Sequence, residues 1–111
     1  VSTTEKNVSF NITFRNTEAT DAIRQHTTEK LSHTLKKFVH HDTEVHVVLT
    51  IEKNRQIAEA SFHADGSDFA CKEESKDLYT SIDMLAHSLS NLLRKHKEKL
   101  TEHHSRAAAE R

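Results

Sequence analysis

A chain of 111 residues with 34% hydrophobic and 30% charged residues is sized for one small domain with a thin core, and part of it is too polar to join that core. No apolar run approaches the ~18 residues of a membrane span. The opening VSTTEKN lacks a basic-then-apolar signal pattern, and the lone cysteine, Cys71, excludes an internal disulfide and fits a cytoplasmic setting. The net charge of −1 argues against a nucleic-acid binder until it is divided along the chain. Residues 21–40 hold four basic against two acidic side chains, 41–75 three against eight, and 76–111 seven against five. An acidic middle therefore separates two basic stretches, and that distribution says more than the sum.

Val8, Phe10, Ile12 and Phe14 alternate with polar residues, which predicts a half-buried strand. Asn16 and Thr17 turn the chain, Thr20 is placed to cap a helix, and Asp21 puts an acid in its first turn. The helix is expected to run to about Val39, with Ile23, Thr27, Leu31, Leu35 and Phe38 on its apolar face. His26, Lys30, His33 and Lys37 form a second stripe about 110° away. Such a stripe is most simply a solvated flank. Val45, Val47, Leu49 and Ile51 then alternate, a turn is expected at Asn54-Arg55, and Ala58, Ala60, Phe62 and Ala64 form the inward set of the next strand. A two-residue loop there sets Val47 opposite Phe62, Leu49 opposite Ala60, Ile51 opposite Ala58 and His46 opposite His63; a longer loop is the alternative. Glu44, His46, Thr50, Glu52, Glu59, Ser61 and His63 would face water.

Asp65-Gly66-Ser67 is the strongest turn signal, followed by a short strand over 68–73 carrying Phe69 and Cys71, and Ser75 is expected to cap the last helix. That helix places Leu78, Ile82, Leu85, Ala86, Leu89, Leu92, Leu93, His96 and Leu100 on one face. Arg94-Lys-His-Lys97 crowds cations at its far end, which also suits the helix dipole. The resulting fold class is α+β, in the order β-α-β-β-β-α: a four-stranded mixed sheet with two helices packed on one face, the first crossover joining parallel strands. Residues 1–7 are expected to be disordered, 8–102 to form the domain, and 103–111 to be a flexible polar tail.

Ten histidines invite a metal, but there is no His-Glu-x-x-His pattern and no cysteine pair, and His40-His41 and His103-His104 are adjacent pairs that converge poorly on one ion. Cys71 reads as an inert strand residue and no phosphate-loop glycines are present. The expectation is no catalytic residues, no metal, no cofactor, no small-molecule substrate and no enzyme. Two basic helices side by side would instead supply several phosphate contacts, the sequence-independent part of nucleic-acid affinity. The order of elements is also similar to the double-stranded-RNA-binding domain, without its lysine cluster at the start of the last helix. An RNA-binding or protein-interaction module without ribosome specificity is accordingly the alternative reading.

Five motifs occur in one order: Thr20-Asp-Ala-Ile-Arg24-Gln-His26, Val45-x-Val-Val-Leu49 before Glu52-Lys53, Ala60-x-Phe-His63-Ala-Asp-Gly66, Asp77-Leu-Tyr79-x-x-Ile-Asp83, and Arg94-Lys-His-Lys-Glu-Lys99. Together, over about residues 8–103, they resemble the ribosome hibernation promoting factor family, also called ribosome-associated inhibitor A or protein Y. The resemblance implies a β-α-β-β-β-α domain that binds small-subunit rRNA in the channel for mRNA and the A- and P-site tRNAs, silencing translation under stress. Arg24, Lys30, Lys37, Arg94, Lys95, Lys97 and Lys99 match the family's basic helix positions, with His26, His33, Lys76 and Tyr79 as secondary rRNA contacts. It further implies either a short form or a truncated one, monomeric off the ribosome, since long members carry a second, C-terminal domain that pairs ribosomes.

Overall fold

The computed structural model describes the backbone of residues 8–39, 42–64 and 66–109, with side chains as far as Lys97. Its elements run β1 (Val8–Arg15), α1 (Asp21–Leu35), β2 (Thr43–Glu52), β3 (Arg55–Ala64), β4 (Ser67–Ser75) and α2 (Leu78–Ala109). The sheet has four strands in the order β1-β2-β3-β4; β1 and β2 are parallel and both remaining pairs antiparallel. This is the α+β order expected from the periodicity.

β2, β3 and β4 bury most of the residues their alternation assigned, and Val8, Phe10, Ile12 and Phe14 of β1 are half-buried against them. Val45, Val47, Leu49, Ala58, Ala60, Phe62 and Phe69 join Leu31 and Leu35 of α1 and Leu78, Ile82, Leu85, Leu89 and Leu93 of α2 in one core between the sheet and the helices. The turn after β1 places Asn16 at φ 59°, a left-handed conformation that asparagine tolerates. Gly66, before β4, has φ 76°, where a side chain would be strained.

Four local expectations are corrected. The β2–β3 loop is Lys53-Asn54, not Asn54-Arg55, so Val45 faces Phe62, Val47 faces Ala60 and Leu49 faces Ala58. A two-residue slip leaves every side chain on its original face, so alternation alone could not detect it. His46 consequently faces Ser61, and His63 faces Asp68. α1 ends at Leu35 rather than near Val39, because a tight turn closed by Phe38 and Val39 N–H donating to the Leu35 carbonyl drives Val39 into the core. α2 is capped by Asp77, whose Oδ2 accepts the Thr80 N–H at 3.0 Å. Ser75 instead approaches Ser81, whose buried hydroxyl donates to the Gln56 carbonyl and so ties the helix to β3. The backbone of α2 stays helical past Leu100 as far as Ala109.

The sheet face away from the helices is less wet than its sequence implied. Ile57, on that face, is 4% exposed, and its pairing partner Thr50 is buried too.

Candidate nucleic-acid interface

Both helices lie on one side of the sheet and run in the same direction. α1 must run against β1 to return to a parallel β2. α2 runs against β4, because the early α2 residue Ser81 meets Ser75 while the late residue His96 meets Phe69. The outer surface of this layer holds the residues in question.

Thr20 starts α1 by accepting the Ile23 N–H at 3.2 Å, and Thr27, fully buried, returns its hydroxyl to the Ile23 carbonyl at 2.8 Å. These bonds set the rotation of α1. His26 is turned into the seam with α2, where its Nε2 donates to Asp83 Oδ1 at 2.9 Å and its ring meets the Tyr79 ring edge-on at 4.9 Å. An ionised carboxylate only accepts, so Nε2 carries the proton. Lys30 approaches the same Asp83 oxygen at 3.9 Å, with both side chains half exposed. Asp83, which enters the sequence reading only as the end of the Asp77–Asp83 motif, is thus the acceptor that joins α1 to α2. No local signal pointed to it, because its partner His26 is 57 residues away.

The remaining candidates spread around this seam. His33 and Lys37 are exposed, Lys37 in the turn that ends α1. Arg24 reaches toward the sheet edge, its Cζ 5.5 Å from the centre of the Phe14 ring, a cation–π contact. Lys76 and Tyr79 are exposed at the start of α2. The Arg94–Lys97 run does not act as one cluster. By helical rotation Arg94 and Lys97 share the flank of Tyr79 and Asp83, toward α1. Lys95 points the other way, into a cleft of about 440 Å³ at the β4 edge lined also by Ser67, Phe69, Leu92 and His96. His96 lies between them as a packing residue, edge-on to Phe69 at 5.0 Å. The side chain of Lys99 lies outside the described residues.

The open sheet face carries charges of both signs. Glu44, Glu52, Glu59, Asp68 and Glu74 project there beside Arg15, Arg55 and Lys72, with Asp68 engaged by His63 at 2.7 Å and Glu74 by Arg55 at 2.8 Å. His46 lies 3.8 Å from Glu44. Among the described residues no three His, Cys, Asp or Glu side chains converge as a metal site, and no helix is long and apolar enough to cross a membrane. Burial, then the Glu73 charge, pushes the Cys71 thiol up, which makes it a poor nucleophile.

A four-stranded mixed sheet backed on one side by two helices that run in the same direction defines a small α+β domain. The chain belongs to the Sigma 54 modulation protein / S30EA ribosomal protein family, whose profile matches residues 10–101. It is 40% identical over 96 residues to the ribosome hibernation promoting factor of Klebsiella oxytoca, covering 86% of this chain and 100% of that one. The corresponding protein of Escherichia coli K12 is 35% identical with the same coverage. Among solved structures, a ribosomal subunit interface protein from Coxiella burnetii superimposes with a TM-score of 0.73 at 26% identity, over 81% of this chain and 98% of that one. The N-terminal domain of Thermus thermophilus protein Y gives 0.72 at 28% identity, with the same coverage.

Proposed function

We propose that this protein is a ribosome hibernation factor that binds small-subunit rRNA in the channel for mRNA and the A- and P-site tRNAs, silencing translation under stress or in stationary phase. The named relatives support the ribosome as target. The observation that carries the mode of binding is the charge layout: Lys37, Arg94 and Lys97 stand exposed along the helical layer, whereas the open strands project five acids against Arg15, Arg55 and Lys72. A polyanion is steered to the helices and turned away from the sheet. The factor works in the cytoplasm as a monomer off the ribosome, without cofactor, and catalyses nothing.

Co-sedimentation with purified small subunits tests this, with rRNA footprinting to place the bound protein. Wild-type chain should pellet with the subunits and protect channel nucleotides. Lys30→Glu with Lys37→Glu, and separately Arg94→Glu with Lys97→Glu, should each weaken binding while the domain stays folded. Full binding by both double variants rejects the helical face; protection outside the channel rejects the location. Equal affinity for subunits and unrelated duplex RNA would favour a shape-reading RNA module.

A further inference from the structure

Asp83 is a half-exposed acid on the flank of α2 that also carries Arg94 and Lys97. A phosphate track crossing this flank is repelled by it. Its Oδ1 is occupied by His26 at 2.9 Å and Lys30 at 3.9 Å, whereas Oδ2 has no donor among the described residues. A carboxylate oxygen accepts and never donates. What it can take from RNA is a ribose 2′-hydroxyl or an N–H on a base edge, not a phosphate oxygen. One helical turn before it, Tyr79 is 38% exposed, with the His26 ring packed edge-on against it at 4.9 Å. His26 therefore braces both residues: its nitrogen fixes the carboxylate and its ring fixes the phenol. A braced, exposed aromatic ring is a surface on which an unpaired base stacks.

We propose that Tyr79 and Asp83 form a nucleotide-recognition site within the helical face: Tyr79 stacks an unpaired base while Asp83 Oδ2 accepts from its 2′-hydroxyl or base-edge N–H. The assignment rests on the RNA-binding reading above and adds selectivity to it. Asp83 lowers affinity for bare phosphate and raises it for RNA that presents a donor at this point. His26 is the positioning residue.

Inorganic polyphosphate, which has the charge of a nucleic-acid backbone but neither bases nor hydroxyl donors, separates the two effects from binding to small subunits. Asp83→Ala removes one negative charge, so polyphosphate should bind about two- to threefold more tightly, from charges ~7 Å apart in water. Binding to small subunits should weaken about tenfold, because a hydrogen bond to an ionised acceptor is lost against that small gain. Tyr79→Leu, which leaves the charge alone, should leave polyphosphate binding unchanged and weaken subunit binding in the same way. Opposite movement of the two ligands on Asp83→Ala supports the site. Tighter binding to both would reduce Asp83 to a charge, weaker binding to both would reduce it to a structural strut, and either result overturns the assignment. A wild-type chain that binds subunits no better than polyphosphate overturns the ribosome reading itself.

Discussion

Arg55 and Glu74 form a two-point ion pair across the open face of the sheet, with Nε to Oε2 at 2.8 Å and Nη2 to Oε1 at 2.9 Å. Glu74 pairs in register with Ile57, so the two charged side chains flank a large apolar residue buried on this face. The bidentate geometry is the stronger form of carboxylate–guanidinium contact.

This pair makes a specific prediction about acid. The hydrogen bond from Arg55, and then its charge, hold the Glu74 carboxyl below its ordinary range, while Glu74 raises Arg55 in return. A depressed carboxyl contributes stability above its unfolded range, near ~4.3, and loses that contribution as pH falls through the lower folded value. Glu74→Gln should therefore lower Tm slightly at pH 7, and the difference from wild type should close by about pH 2. The effect is small because both side chains are about half exposed. A Tm difference that persists undiminished in acid would show that Glu74 acts through packing over Ile57, not through charge.

The division of the cations on α2 gives a second prediction. Arg94 and Lys97 face the seam with α1, whereas Lys95 lies in the cleft at the β4 edge. Lys95→Glu should weaken ribosome binding less than Arg94→Glu or Lys97→Glu, although all three change the charge equally. The slope of log affinity against log salt should fall by roughly 0.7–0.9 for each true phosphate contact removed. Three equal losses in affinity and slope would mean that the field of the whole helix end matters and its sides do not.

How far the sequence carried depended on the range of the interaction. The apolar faces of the strands and helices were legible because each face repeats over its own element: Val45, Val47 and Leu49 announce an inward set without reference to any partner. The β2–β3 register was not, since a slip by two is invisible to a period of two; the short loop and the Glu52–Arg55 pairing decide it. The Arg94–Lys97 run was legible as a cluster of cations, but not its division between two flanks, because consecutive helical residues point about 100° apart and only α1 distinguishes one flank from the other. Asp83 stood out in the sequence only as part of a motif, and only the fold brings His26 and Lys30 to it.

The cap of α2 can be tested locally. Asp77 Oδ2 accepts from both the backbone N–H and the hydroxyl of Thr80, each at 3.0 Å. Asp77→Ala should cost about 1 kcal/mol. Asp77→Asn, which keeps a side-chain acceptor, should recover most of that loss. Equal losses would assign the effect to the negative charge at the helix start instead of the cap.

The last prediction concerns a buried side-chain nitrogen without a partner. Among the described residues, His96 Nε2 is buried and makes no hydrogen bond. The ring is held edge-on to Phe69 at 90°, and Phe69 in turn stacks on Phe62 with centroids 5.2 Å apart. The site is thus aromatic in its packing and polar only in an atom that goes unsatisfied. An unpaired buried donor or acceptor costs about 1–3 kcal/mol, and an apolar group of similar shape removes that cost. His96→Phe keeps the edge-to-face contact and should stabilise the domain by about 1 kcal/mol, net of the strain from a slightly larger ring. For a domain of this size that raises Tm by about 4–8 °C. His96→Leu loses the aromatic contact but also removes the orphaned atom, so it should fall between wild type and His96→Phe. Ribosome affinity should not change, because this ring turns toward Phe69 and not toward the seam with α1. Destabilisation by both variants would mean that Nε2 is satisfied in solution by a water or a neighbouring group, and that the histidine is a polar anchor for the end of α2 instead of a packing ring.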